Sequence, residues 1–251
     1  MAKELEGKVA VVTGAARNQG RAYSEMLASH GASVVVHHHG ETSRAEAEKT
    51  ADAVRRHGPK AVVVQADLTQ APEVRRVFEM ADENFGRLDI LINNAGMVLK
   101  KPFTEITEAE YDRMFGINAK AAFFCMQEAA KRIRDGGRIV NIGTSLLGAF
   151  TGLYSVYAGS KAPLEDFTRA LAKEIGHRGI TVNTVAPGPL DTSFFYPAET
   201  PDSIAYHTQA SVQGRLGTVE DIVPLIELLV LPKGGWITGQ ILFINGGYVT
   251  R

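Results

Sequence analysis

A single cysteine, Cys125, stands among the 251 residues. One thiol makes no internal disulfide and no cysteine-ligated metal cluster, which excludes a disulfide-stapled scaffold and fits a reducing compartment. Its place in the apolar run AAFFC reads as a buried thiol and not a reactive one. Charge of one sign is also lacking: 27 Lys+Arg face 28 Asp+Glu, a net charge of −1, with no long basic or acidic block. Nothing in that balance points to nucleic acid or an anionic membrane surface. The opening MAKELEGKVAVVTG has no apolar signal core, and no run is long enough to span a bilayer. A soluble cytoplasmic protein is expected. Linkers, internal repeats and low-complexity segments are missing too, so residues 1–251 read as one domain able to bury a large core.

What is present is alternation. Short apolar, β-branched runs at 8–12, 33–36, 60–64, 88–92, 138–142, 180–185 and 240–244 read as buried strands. Helical stretches separate them, including one that opens in TGAARNQGRA and ends near residues 30–31, and others near 42–57, 72–85, 108–134, 155–175 and 219–231. Pro163 is expected to bend the fifth of these near its start. Strand–helix alternation predicts an α/β fold, a single doubly wound domain whose seven-stranded parallel sheet has helices on both faces. An irregular region, 187–217, interrupts the pattern after the sixth strand, and within it 193–214 reads as an insertion.

In such a sheet ligands bind at the carboxyl ends of the strands, and the informative residues all follow strands. After the first comes a turn holding Gly14, Arg17, Asn18, Gln19 and Gly20, whose free amides and positive helix end suit a pyrophosphate. Asp67 and Leu68 follow the third strand, and Asn94, Ala95 and Gly96 the fourth. Thr144 and Ser145 follow the fifth, and Pro187, Gly188, Leu190 and Thr192 the sixth. Asn118 lies inside a helical stretch with apolar neighbours, where it is a poor helix former. Tyr157 and Lys161 stand four apart on one helix face, so a cation can sit near a phenol. Free tyrosine titrates near pH ~10, and a fixed cation moves that toward neutrality, giving a phenol that trades a proton with a carbonyl or alcohol. Each feature also has a plainer account. The glycines, Asp and Asn suit ordinary turns, Asn118 suits a bond to buried backbone, and the Tyr–Lys pair suits a solvated helix face.

Together, LEGKVAVVTGAARNQGRA, DL, NNAG, Asn118, YAGSK, PGPLDT, RLGTVEDI and ITGQ resemble the short-chain dehydrogenase/reductase family across essentially the whole chain, in family order and roughly family spacing. The resemblance implies a Rossmann-type subunit that interconverts alcohols and carbonyls with NAD(P)(H), commonly as a tetramer or dimer. It is similar in particular to 3-oxoacyl-[acyl-carrier-protein] reductases. It implies Tyr157 as general acid in reduction, Lys161 lowering the tyrosine pKa and binding the nicotinamide ribose, and a hydroxyl polarising the carbonyl. Asn118 would help hold a proton-relaying water. Two departures stand out. Asn18 occupies a position where the family usually has glycine; Asn tolerates φ > 0 better than most residues. The family hydroxyl lies 13 residues before the tyrosine, which selects Thr144, whereas Ser145 fits a following S-x-x-G pattern at 12. Thr144 is preferred, with Ser145 kept as the alternative.

For the cofactor, NAD-using relatives generally carry an acid at the end of the second strand; the position here is His38, beside His37 and His39. NADP(H) is therefore favoured, with Arg17 supplying most of the charge pairing and Ser43 and Arg44 adding contacts. Glu41 nearby keeps NAD(H) open, as does the frequency of arginine in this turn among NAD-using relatives. Non-catalytic nucleotide sensing is the rival reading of the whole, and an NAD(H)-dependent alcohol dehydrogenase the rival within it. The insertion reads as a mobile lid with Phe194, Phe195 and Tyr196, faced by Leu146, Phe150, Leu153 and Tyr154. An apolar pocket suits a ketone, a β-keto ester or a 3-oxoacyl thioester as small-molecule substrate. A homotetramer is expected, then a dimer.

Overall fold

A computed structural model describes residues 3–149 and 151–250. Its strands are β1 (Val9–Val12), β2 (Ser33–His38), β3 (Ala61–Gln65), β4 (Leu88–Asn93), β5 (Ile133–Ile142), β6 (Thr181–Pro187) and β7 (Ile241–Ile244). They form one parallel sheet in the order β3-β2-β1-β4-β5-β6-β7. Side chains alternate between two cores, because successive strand residues point to opposite faces. Val12, Val34, Val36, Ile90 and Ile92 meet α1 (Asn18–Ser29), α2 (Arg44–Arg56) and α10 (Val219–Val230). Val11, Val35, Leu91 and Ile139 meet α3 (Ala71–Phe85), α5 (Ala121–Arg132) and α8 (Pro163–Ile175) on the other face. Each fully buried aliphatic side chain is worth roughly 1.5–3 kcal/mol, so both faces must be covered. Cys125 is buried in the second core, and burial pushes its thiol up to about 12.

Helices depart from the expected spans where the backbone has a local reason. The stretch 108–134 is not one helix. It divides into α4 (Glu108–Phe115), a wide π turn at Gly116–Lys120, and α5. Gly116 and Asn118 propagate a helix poorly, and the Asn118 side chain is drawn to the Met97 backbone instead. The strand after α5 starts at Ile133, earlier than expected, pairing with Leu88 before a register shift. The next stretch divides at Ala162 into α7 (Ser155–Lys161) and α8, since Pro163 has no N–H to continue the ladder. The short α6 (Leu146–Ala149) precedes them. Finally, 187–217 is not wholly irregular. Thr200 caps α9 (Pro201–Ala210), its side chain accepting from Ser203 N–H.

The strand order reverses between β1 and β4, each of which continues outward on a different side. A crevice opens at their carboxyl ends.

Candidate active site

The crevice is first held open by backbone. Thr13 Oγ1 accepts from the N–H groups of Asn94 and Ala95, each at 2.9 Å, while Asn94 Nδ2 donates to the carbonyls of Thr13 (3.0 Å) and Gly14 (3.2 Å). The ends of β1 and β4 are thus stapled together, and Asn94 is spent largely on that staple. Gly14 has φ +63°, and a Cβ on Gly20 would lie 2.2 Å from the Gly14 carbonyl oxygen, so the turn needs a glycine there. Asn18 adopts φ +49°, the left-handed conformation that glycine usually supplies, and its Nδ2 donates to Ser193 Oγ at 3.0 Å. Gln19 accepts from the Tyr23 hydroxyl at 2.6 Å.

His37, a residue with no site role in the sequence reading, braces this turn. Its Nδ1 accepts from Gly14 N–H at 3.0 Å, which leaves Nε2–H to donate to the Ala66 carbonyl at 3.0 Å. Both bonds require the neutral ring, and burial pushes its pKa down to about 4. The pairing of His37 with Val64 shows that β2 continues through His37 and His38, beyond the expected end at residue 36.

At the outer end of the cleft, His38 is buried, with Nδ1 near Gly40 O (3.1 Å) and Ser43 Oγ (3.4 Å). His39 is 74% exposed and 4.0 Å from Asp67 Oδ1. Asp67 accepts from the backbone and hydroxyl of Thr69 at 3.0 and 2.8 Å, and Leu68 beside it is buried. Arg17 is exposed; its carbonyl accepts from Arg21 N–H at 3.3 Å, and its guanidinium lines the cleft. Glu41 pairs with Arg44 at 3.6 Å, and neither lines the cleft. Pro187, Gly188, Leu190 and Thr192 form the opposite edge, where Gly188 N–H donates to Ile244 O at 3.0 Å.

Tyr157 and Lys161 lie at the cleft floor. The Tyr157 hydroxyl hydrogen-bonds with Thr144, whose Oγ1 also accepts from Leu146 N–H at 3.3 Å. Ser145 sits one residue further in: its hydroxyl donates to Ala186 O at 2.8 Å and accepts from Asn245 at 3.2 Å. Its only hydroxyl donor is therefore committed to the fold. Lys161 Nζ donates to Ile142 O at 2.7 Å, and burial pushes it down to about 8. Tyr157 is raised above the ordinary phenol value, because burial outweighs the bond from Thr144. The sequence-based picture of Lys161 already holding the phenol near neutrality is thus not what this arrangement displays: the ammonium is directed at a carbonyl. Asn118 is buried beneath the floor and does not line the cleft. It donates to Met97 O and Ser160 Oγ, both at 2.9 Å, and accepts from Met97 N–H at 2.9 Å. A Cβ on Gly96 would lie 2.9 Å from Asn118 Oδ1 and 3.2 Å from Lys161 Nζ, so this floor leaves room for a flat group only with glycine.

The cleft encloses about 1250 Å³ and continues past Tyr157 toward the insertion. Leu146, Tyr154, Phe194 and Phe195 line it there, whereas Leu153 (φ +71°) and Tyr196, which donates to Asp191, do not. Phe150 lies outside the described residues. Sequence reasoning missed a polar cluster at this end. Glu199, its side chain 1% exposed, pairs with Lys100 at 2.5 Å and accepts from Tyr154 and from Ser203 (2.6 Å). His207 and Tyr248 stand beside it, 3.2 Å apart. No local motif announces a cluster drawn from four separate segments.

The whole arrangement suits an extended dinucleotide: glycine turn at a helix N-terminus for phosphates, stapled strand ends for close backbone approach, and a buried ammonium with donors to spare. No helix among the described residues is long and apolar enough to cross a membrane. Comparison with known proteins agrees with this geometry. Residues 14–249 match the family model described as enoyl-(acyl carrier protein) reductase. A hydroxynaphthalene reductase-like protein of Metarhizium majus is 38% identical, covering 99% of this chain and 97% of its own. A short-chain type dehydrogenase/reductase of Picea abies is likewise 38% identical over 98% of this chain and 93% of its own. A crystal structure of a dehydrogenase from Burkholderia cenocepacia with bound NADP superposes with a TM-score of 0.96 at 50% identity, covering 100% and 97% of the two chains. The chain belongs to the short-chain dehydrogenase/reductase family.

Proposed function

We propose that this oxidoreductase reduces a ketone on an aromatic or fused-ring substrate to a secondary alcohol, with NADP(H) as its cofactor. The observation that carries the reading is the Leu146 N–H, Thr144, Tyr157 hydrogen-bond chain at the cleft floor beside buried Lys161. NADP(H) supplies the hydride when bound. Gly14, Arg17, Asn18, Gln19 and Gly20 would hold its phosphates, Asp67, Leu68, Asn94, Ala95 and Gly96 its adenosine and ribose edges, and Pro187 to Thr192 its carboxamide end. Arg17, His38 and His39 line the cleft where a 2′-phosphate would fall, with no carboxylate at the end of β2 to repel it. The Burkholderia relative with bound NADP supports the same choice.

Tyr157 gives its proton to the carbonyl oxygen as negative charge develops there. Burial keeps the phenol protonated at neutral pH, the form reduction requires. Thr144 directs its hydroxyl to the same oxygen, and Ser145 positions the loop. Lys161, charged below about pH 8, stabilises the tyrosinate left behind and binds ribose hydroxyls. Asn118 fixes Met97 and the floor under Gly96. The segment 193–214 serves as a lid, with Phe194 and Phe195 as its apolar face. The aromatic wall and the hydroxynaphthalene reductase-like relative support an aromatic ketone. Exposed Tyr111 and Phe123 on α4 and α5, with Trp236 at 96% exposure, support a homotetramer, and a monomer by light scattering would remove that part.

The test is oxidation of NADPH and NADH against a panel of aromatic ketones, β-keto esters and 3-oxoacyl thioesters. Aromatic ketones with NADPH are expected to give the highest kcat/KM, and Arg17→Ala to raise the KM for NADPH about tenfold more than that for NADH. Absence of turnover with any ketone would overturn the reading.

A further inference from the structure

The lid end of the cleft is apolar except for one group of polar side chains, and that group is only partly used by the fold. Glu199 has its partners: Lys100 and Tyr154 tie it to the body, and Ser203 bonds it from within the same segment. His207 does not complete that set. Its Nδ1 lies 3.2 Å from the Tyr248 hydroxyl, which is itself 3.3 Å from Thr151 Oγ1. Its Nε2 lies 3.7 Å from Glu199 Oε2, beyond direct hydrogen-bonding distance. The tautomer follows from the neighbours. A lone pair on Nε2 would face a carboxylate, so Nε2 carries the hydrogen and Nδ1 accepts from Tyr248. A buried N–H donor thus stands close to a carboxylate acceptor without reaching it, and both residues line the cleft.

We propose that His207 and Glu199 form a second polar subsite that binds a hydroxyl group of the substrate remote from the reacting carbonyl. This rests on the ketone-reductase reading. A hydroxyl is the group that completes the pair, since its oxygen accepts from Nε2–H while its hydrogen donates to Glu199. An ether or second ketone does only the first. A carboxylate would bring another negative charge to Glu199, and Lys100 is already committed there. The scaffold carrying the hydroxyl is aromatic: the Phe195 ring is 5.6 Å from His207, edge-on, and the Tyr154 ring is 6.4 Å from His207 and 6.3 Å from Tyr157. Tyr154 therefore spans the wall between the two polar ends, the reach of a small fused-ring skeleton. A phenol-bearing bicyclic ketone is the substrate class so defined. Tyr248 is a positioning residue, fixing the imidazole tautomer.

The experiment uses bicyclic aromatic ketones with a hydroxyl at each ring position in turn, the parent ketone and the matching methyl ethers. Binding to the full-length protein with NADP+ present is measured by calorimetry, and turnover with NADPH is measured separately. In the wild type one hydroxylated isomer binds about tenfold or more tighter than its parent, and its methyl ether does not. His207→Phe brings that ratio close to one, and Tyr248→Phe, which removes no subsite atom, lowers it by a smaller factor. Because the ratio compares ligands on one preparation, a partly misfolded variant does not distort it, and Tyr248→Phe reads the subsite if His207→Phe does not fold. A wild-type preference below about threefold at every position, an equal preference for the methyl ether, or a preference that survives both variants overturns the proposal. Turnover without the preference removes the subsite alone. The preference without turnover keeps the subsite and removes the reductase reading.

Discussion

The two halves of the cleft are built in different ways. The half proposed for the cofactor is made of short turns directly after strands: the Gly14 turn, the Asn94–Gly96 segment and the Pro187–Thr192 edge. Its chemistry is mostly backbone, stapled by Thr13 and Asn94. The half proposed for the substrate is made of side chains from segments far apart in the chain, with Lys100, Tyr154, Glu199, His207 and Tyr248 meeting around one buried carboxylate. A backbone-built site tolerates a change of side chain and not a change of glycine. A side-chain-built site behaves in the reverse way, so the first half resists divergence of substrate and the second invites it.

The largest expected effect lies where the halves meet. Tyr157→Phe keeps the ring and removes the acid, so kcat for ketone reduction should fall by about 10²–10⁴ while NADPH titration still shows binding. Thr144→Val should cost far more in kcat than Ser145→Ala, since the Ser145 hydroxyl is tied to Ala186 and Asn245. The opposite order would move the catalytic hydroxyl to Ser145.

Next in size is a break confined to the substrate half. Glu199→Gln leaves the half-buried Lys100 ammonium without its carboxylate and should lower stability by about 3 kcal/mol, seen as an earlier urea midpoint. NADPH affinity should change little. A stability equal to wild type would show that the ion pair is not what fixes the lid.

A comparable break in the cofactor half is made by acid. His37 is held neutral, with its pKa pushed down to about 4 from an ordinary value near 6.5. Its contribution is present in full above about pH 6.5. As pH falls from there toward 4, the unfolded chain binds a proton that the folded one refuses, and stability is lost. The loss from this ring is about 2 kcal/mol by pH 5. Unfolding midpoints of wild type and His37→Gln between pH 7 and 5 check it, since only the wild type should carry this slope. Parallel curves would mean that the ring is not locked by Gly14 and Ala66.

The same contrast explains what could be read from sequence. The seven parallel strands, the glycine turn and the placing of Thr144, Tyr157 and Lys161 at one floor were legible because each is a local pattern in fixed relation to a strand end. The π turn was not: Gly116 and Asn118 signal weak helix, but only the Met97 backbone, 21 residues from Asn118, decides what replaces it. His37 was hidden because HHH looks like a loop, and its burial depends on β3 pairing alongside. Glu199 and Lys100 are 99 residues apart, and nothing near either one names the other.

The smallest effect tests the point where the halves touch. Asn18 belongs to the glycine turn, yet its side chain exchanges hydrogen bonds with Ser193, the first residue of the proposed lid, at 3.0 and 3.3 Å. At φ +49° a glycine is at ease, so Asn18→Gly removes this link without straining the turn. The extra freedom of glycine in the unfolded chain should cost up to about 1 kcal/mol, reduced by relief of the left-handed asparagine. The bond is solvent-exposed, so its own contribution is about 0.5–1.5 kcal/mol at most. If the turn acts through its backbone, the NADPH dissociation constant should stay within about threefold of wild type, while KM for the ketone rises about two- to fivefold as the lid loses a tether. A loss of NADPH affinity beyond about tenfold, with ketone KM unchanged, would place the Asn18 side chain on the cofactor and end the division between a backbone-built half and a side-chain-built one.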